Sequence, residues 1–81
     1  MNQYYGKKIS YLKLKKLLLD KNMTGQGLRR VSGISTDTLA KINRDDNITT
    51  AVLMKICNGL GCELDDIMEL VDSNEEGQKK E

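Results

Sequence analysis

Histidine, proline, tryptophan and phenylalanine are absent from this 81-residue chain, and cysteine occurs only twice. Two Cys without His cannot complete a tetrahedral Cys/His metal site, and they do not make a disulfide framework. No metal or other cofactor is expected. Aromatics are 4% of the residues, all of them Tyr, so the core must come from Leu, Ile, Val and Met. With no Pro and only scattered β-branched residues, helices are favoured over a sandwich or barrel. No run is long and apolar enough to span a bilayer, and the N-terminus has no signal-peptide pattern, so a cytoplasmic location without membrane contact is expected. The length suits one small domain with a single core.

What the chain does have is an uneven charge distribution. Residues 1–44 carry 10 of the 13 Lys and Arg and 2 of the 12 Asp and Glu, a local balance of +8. Residues 45–81 carry the other 3 basic and 10 acidic residues, a balance of −7. The formal net charge of +1 hides this split. A basic half presents an attractive field to a polyanion, while a solvated surface that merely segregates its charges is the plainer explanation.

Apolar spacing predicts five helices, hence an all-α, compact five-helix bundle. Residues 1–9 read as a flexible arm, which would place Tyr4, Tyr5, Lys7 and Lys8 along a phosphate backbone or leave them disordered. Residues 10–71 read as the domain, and 72–81 as a disordered charged tail. Ser10 is placed to cap a first helix that runs to about Lys21, with Leu14, Leu17 and Leu18 inward and Tyr11 at the edge. Leu12 falls on the far side, where it is free to touch a partner. Leu19 is expected against Met23. A fourth helix, capped by Thr49 or Thr50, buries Val52, Leu53, Ile56, Cys57 and Leu60. Cys57 sits in that stripe as a small core residue, and no base stands ready to activate it or Cys62. A fifth helix is expected over Asp65 to Val71, with Ile67, Leu70 and Val71 inward. Asp65 and Asp66 then stand in a first turn, where the helix dipole favours negative charge, and are not a catalytic carboxylate pair.

The most informative stretch is Met23 to Ile42. Thr24 caps a short helix whose Leu28 and Val31 face inward. Gly33 supplies the positive φ that ends it. Ile34 plugs the angle, and Ser35 caps the next helix by accepting from the amide of Asp37 or Thr38. That helix sorts cleanly: Leu39 and Ile42 on one side, and Thr36, Asp37, Ala40, Lys41 and Arg44 on the other. Two short helices joined by a tight turn, the second small and polar on its outer face, have the layout of a helix-turn-helix, which offers its second helix to the DNA major groove. The same face also fits an ordinary solvent-exposed helix. Gly25 and Gly27 are unusual in the first helix of the pair, since each disfavours helix by about 1 kcal/mol relative to Ala. They suggest a frayed turn or a close backbone approach, a bound phosphate being one candidate.

The run Met23-Thr24…Leu28…Gly33-Ile34-Ser35…Thr38-Leu39…Ile42, then Leu53…Ile56-Cys57…Leu60-Gly61 and Leu64-Asp65-Asp66-Ile67, resembles the phage repressor/Cro-like (XRE-type) family of helix-turn-helix DNA-binding domains. The resemblance covers about Ser10 to Val71. It implies that Thr36, Asp37 and Lys41 read bases. It implies that Thr24, Gly25, Gln26, Ser35, Thr38, Asn43 and Arg44 meet the DNA backbone. Many relatives carry Gln at the place of Gly25, and an Arg–acid pair at the places of Leu18 and Asn43.

These readings lead to a sequence-specific transcription regulator, a repressor, that binds double-stranded DNA as a homodimer and is not an enzyme. Met54, Met68 and Leu70 in the poorly basic half are the candidate dimer contacts. The alternative is a protein-interaction module on the same fold, an antitoxin-like or regulatory adaptor, which Asp37, the Gly pair and the near-zero net charge would suit.

Overall fold

A computed structural model describes residues 6–72. Strand β1 (Lys7–Ser10) leads into four α-helices: α1 (Leu12–Asp20), α2 (Gly25–Ser32), α3 (Thr36–Asn43) and α4 (Thr50–Leu60). A 3₁₀ turn (Leu64–Asp66) and strand β2 (Glu69–Asp72) follow. The expected five-helix, all-α bundle is therefore corrected to four α-helices and a two-stranded antiparallel sheet.

The sheet replaces both expected end structures. Lys7 pairs with Asp72, Lys8 with Val71, Ile9 with Leu70 and Ser10 with Glu69. The Lys7 ammonium also lies 2.9 Å from the Asp72 carboxylate. Lys7 to Ile9, expected in a loose arm, are thus strand, and Tyr4 and Tyr5 lie outside the described residues. The expected fifth helix lasts one 3₁₀ turn. Its start matches the reading, because Asp65 and Asp66 occupy the first turn and an Asp66 oxygen accepts the Glu63 amide at 2.9 Å. After Ile67 the chain turns extended, leaving Leu70 exposed and not in the core. Pairing with a strand some sixty residues away leaves no periodic signal in the local sequence.

The helix ends are set as their residues dictate. Thr24 Oγ1 accepts the Gly27 amide at 3.1 Å, and Thr49 Oγ1 accepts the Val52 amide at 3.2 Å. Gly33 adopts φ +79°, the left-handed conformation that most side chains resist, and its amide closes onto the Arg29 carbonyl at 2.8 Å. Ser10 is not the cap of α1: the cap position belongs to Tyr11, and Ser10 Oγ accepts the Leu12 amide at 3.3 Å.

The core consists of Tyr11, Leu14, Leu28, Ile34, Ile42, Leu53, Ile56, Leu60 and Ile67, with Leu17, Leu18, Leu39, Val52 and Cys57 packed around it. Tyr11 is buried, not at the edge, because its polar groups are satisfied. Its hydroxyl donates to the Asp46 carbonyl at 2.7 Å, and its amide donates to Asp45 Oδ1 at 3.0 Å. Burial raises the phenol pKa above its ordinary value, and the Asp45 carboxylate adds to this. Leu19 and Val31, both expected inward, are exposed.

Helices α2 and α4 meet at a point where there is no side chain. A Cβ on Gly59 would stand 2.6 Å from the Val31 carbonyl oxygen and 3.0 Å from Ser32 Cα. Main chain cannot swing away as a side chain can, so a methyl here must push the two helices apart. Gly59→Ala is expected to destabilise the domain by about 1–3 kcal/mol, despite the better helix propensity of Ala. Urea unfolding checks this: a neutral or stabilising substitution would show that α2 and α4 are not in main-chain contact.

Candidate nucleic-acid interface

Helix α3 is held from its first residue. Ser35 is extended, and its Oγ accepts the Thr38 amide at 3.1 Å while donating to Thr38 Oγ1 at 3.0 Å. On the inner side Ile42 is buried and Leu39 packs against the core. With that side anchored, Thr36 and Asp37 face outward fully exposed and Lys41 stands half-buried one turn further on. The two ionic groups see each other, with Lys41 Nζ 3.9 Å from Asp37 Oδ2. At such exposure the pair contributes only about 0.3–0.5 kcal/mol, so both groups remain available to a stronger partner. An open hollow of about 320 Å³ runs beside Lys41, lined also by Thr38, Asn47, Ile48, Thr49 and Val52.

The residues expected along the DNA backbone are placed as follows. Thr24 and Gln26 are exposed at the start of α2. Gly25 is half-buried, and a Cβ there would lie 2.9 Å from Leu39 Cδ2 on α3. The close approach that Gly25 suggests is therefore internal, onto α3. Gly27 repeats it against Met23, where a Cβ would lie 2.8 Å from Cγ. Asn43 is exposed, and its carbonyl accepts from Lys15 Nζ at 3.5 Å. Arg44 is turned to Asp46, its Nη2 and Nε donating to one carboxylate oxygen at 2.8 and 3.1 Å. Leu18 packs at the margin of the core, as its apolar replacement of a charged residue implies.

Arg29 and Arg30 on α2 gain no role from apolar spacing or from the resemblance. Arg29 Nη1 donates to Gln26 Oε1 at 2.8 Å, and the three side chains line an open hollow of about 250 Å³. The i, i+3 spacing of Gln26 and Arg29 was the available signal.

Other chemistry has little footing. Cys57 and Cys62 are both free and half-buried, and burial pushes the Cys62 thiol up to about 11, the neighbouring Cys57 adding to the effect. Such a thiol stays protonated at neutral pH and is a poor nucleophile. Among the described residues no group of three or more Cys, Asp or Glu is placed to hold a metal ion. No helix among them is long and apolar enough to cross a membrane.

This geometry agrees with what the chain is similar to. The family of Cro/C1-type HTH DNA-binding domains matches residues 13–73. The chain belongs to that family. The match spans all four helices and supports a DNA-binding regulator. A solved structure, that of the transcriptional regulator VanUg, superimposes with a TM-score of 0.80 at 39% sequence identity, covering 90% of this chain and 99% of that one. No curated protein matches the chain.

The presentation of α3 by this Cro/C1-type domain depends on its cap. Ser35→Ala removes the acceptor of the Thr38 amide and is expected to lower stability by about 1 kcal/mol. Thr36→Ala, at the next residue, which is exposed and caps nothing, should change it by less than about 0.5 kcal/mol. Equal effects of the two in urea unfolding would contradict the capping role.

Proposed function

We propose that the protein is a sequence-specific transcription regulator, acting as a repressor, that reads duplex DNA in the major groove with α3. The observation that carries this is the outer face of α3: Thr36, Asp37 and Lys41 stand on it together, opposite the buried side that fixes the helix. Each can do something a base edge recognises. The Lys41 ammonium suits the O6 and N7 acceptors of guanine. Asp37 can only accept, and the cytosine amino group is the donor a groove offers it. Near phosphates its charge is repelled, so Asp37 discriminates against sites that lack such a donor. The Thr36 hydroxyl serves either as donor or acceptor.

Around this reading face, Ser35 and Thr38 at the start of α3, and Thr24, Gln26 and the Gly25 amide at the start of α2, are assigned to phosphates. Asn43 and Arg44 take the phosphate beyond the C-terminal end of α3. Arg44 joins in by exchanging its Asp46 partner for a phosphate, an exchange an exposed ion pair permits. A domain of this size covers too little DNA for tight specific binding alone, so a homodimer on a two-fold site is the working form. Exposed Met54 and Leu70 are the apolar groups available for that contact, whereas Met68 is partly committed to the core. Occupation of an operator by such a dimer represses by obstruction. We assign it to the cytoplasm and give it no cofactor.

The adaptor reading, in which the same fold grips a protein, has one observation in its favour: the cations at Lys41 and Arg44 already have internal carboxylate partners. Selection from a randomised duplex library at two salt concentrations separates the two. A repressor enriches a short two-fold sequence and binds it more weakly at high salt. Lys41→Ala should then weaken the selected site by about 1–3 kcal/mol and other sequences much less. Absence of any enriched sequence would favour the adaptor, and uniform weakening by Lys41→Ala would remove it from the base-reading set.

A further inference from the structure

Several cations of this domain are already engaged by the protein. Lys7, Lys15, Lys41 and Arg44 each lie within 4.0 Å of a carboxylate, on Asp72, Asp45, Asp37 and Asp46 respectively. Lys13 is spent on the Asp65 carbonyl at 3.0 Å. Arg29 and Arg30, like Lys16, Lys21 and Lys55, pair with no acid among the described residues. What sets the two apart is that they are adjacent on one helix, in a stretch with no acidic residue between Asp20 and Asp37.

Arg29 is also held in place. It is one turn after Gly25, on the stripe of α2 that faces Leu39 of α3. Helical side chains lean toward the N-terminus, which carries its guanidinium back over the first turn of α2. There Gln26 Oε1 accepts from Nη1 at 2.8 Å. Its Nε is buried with no acceptor, so the inner edge of the fork is fixed without being satisfied by the protein. The Gly25 position contributes no side chain of its own beside it. Arg30 stands exposed on the other side of Gln26, and the three residues enclose an open hollow of about 250 Å³. A positioned fork, a second unpaired guanidinium and a neutral amide bracing the first make a receptor for a phosphodiester oxyanion.

We infer that Arg29 and Arg30, with Gln26 as the positioning residue, form the principal phosphate clamp of the domain, so that the electrostatic grip on DNA lies on α2 and not on the recognition helix. The reason is comparative. Lys41 and Arg44 must surrender a carboxylate before they can meet a phosphate, and the released acid is left facing the polyanion. Arg29 and Arg30 surrender nothing. Their contact is with the backbone, so it adds affinity without adding sequence preference. This inference rests on the proposed binding of duplex DNA.

The test is the salt dependence of binding to the selected duplex and to an unrelated duplex, for the full chain and for Arg29→Gln, Arg30→Gln, Gln26→Ala and Lys55→Gln. Each lost phosphate contact lowers the slope of log affinity against log salt by about 0.9, which makes the loss of affinity over a fourfold rise in salt about 3- to 4-fold smaller. In the two-fold dimer Arg29→Gln or Arg30→Gln removes two such contacts, so each should lower the slope by about 1.8 and make that loss about 12-fold smaller, on both duplexes alike. Gln26→Ala should weaken low-salt binding less than Arg29→Gln and have no further effect when Arg29 is already Gln. Lys55→Gln removes the same charge from α4 and should leave the slope unchanged. Because Arg29 is half-buried, the exposed Arg30 keeps the test valid if Arg29→Gln unfolds, as circular dichroism would reveal. An unchanged slope in Arg30→Gln, or an equal change in Lys55→Gln, would overturn the clamp while the DNA-binding function stands. Failure of the unmodified chain to bind duplex DNA at either salt would remove both.

Discussion

The architecture depends on one main-chain contact, the approach of α2 to α4 across Gly59. Helices ordinarily keep 8–10 Å between axes because side chains separate them. Here Gly59 lies against the Val31 carbonyl and Ser32 Cα, so the end of α2 is fixed by α4 with almost no freedom to tilt. Leu28 on α2 and Ile56 and Leu60 on α4 are buried in the same core. The turn at Gly33 then starts from a fixed point, and α3 inherits its direction. A helix on a soft base loses affinity for any partner in ordering itself, and this anchoring works against that loss.

Tyr11 makes the complementary constraint from the other side. It joins the start of α1 to the loop after α3 through two hydrogen bonds, to Asp46 and Asp45. Asp45 is in the left-handed region at φ 59° and also lies 3.9 Å from Lys15 of α1. The loop that releases the chain from α3 is thereby tied to the first helix. Between Ser35 at one end and the Asp45–Tyr11 contact at the other, α3 is defined at both termini by polar groups and along its length by Leu39 and Ile42. Its outer face is the remainder, which is why small and ionic residues can be placed there without penalty to the fold.

Much of this was legible in the sequence, and the reasons differ by element. Caps and turn glycines act through their own backbone, so Thr24, Gly33, Ser35 and Thr49 could be read off residue by residue. The stripes Leu14–Leu17–Leu18 and Leu53–Ile56–Leu60 announced their helices through period. Some local expectations failed too, Ser10 as a cap and Leu19 and Val31 as inward residues, but the larger failures depended on distant partners. β1 and β2 are each too short to show a pattern, and each is strand only because the other lies alongside. Tyr11 read as peripheral because its hydrogen-bond partners are more than thirty residues away. At the interface, the exposed face of α3 was visible from spacing. The internal pairing of Lys41 and Arg44 needed geometry, and so did the isolation of Arg29 and Arg30. Gly25 suggests a close backbone approach from sequence alone, but only geometry shows that what approaches is Leu39.

The sheet has a consequence for the order in which the chain is assembled. Its strands are joined by nearly the whole described chain: the Lys7–Asp72 pair alone spans 65 positions. Closing a loop of that size consumes chain entropy that eight strand residues cannot repay by themselves. The helices close over short separations and bring the two strands side by side as a by-product. The sheet is therefore a clasp whose closure relies on the helices bringing its strands together. Neither strand contributes to the α2–α4 contact at Gly59, and Ile9 of β1 is the point at which the clasp meets the core.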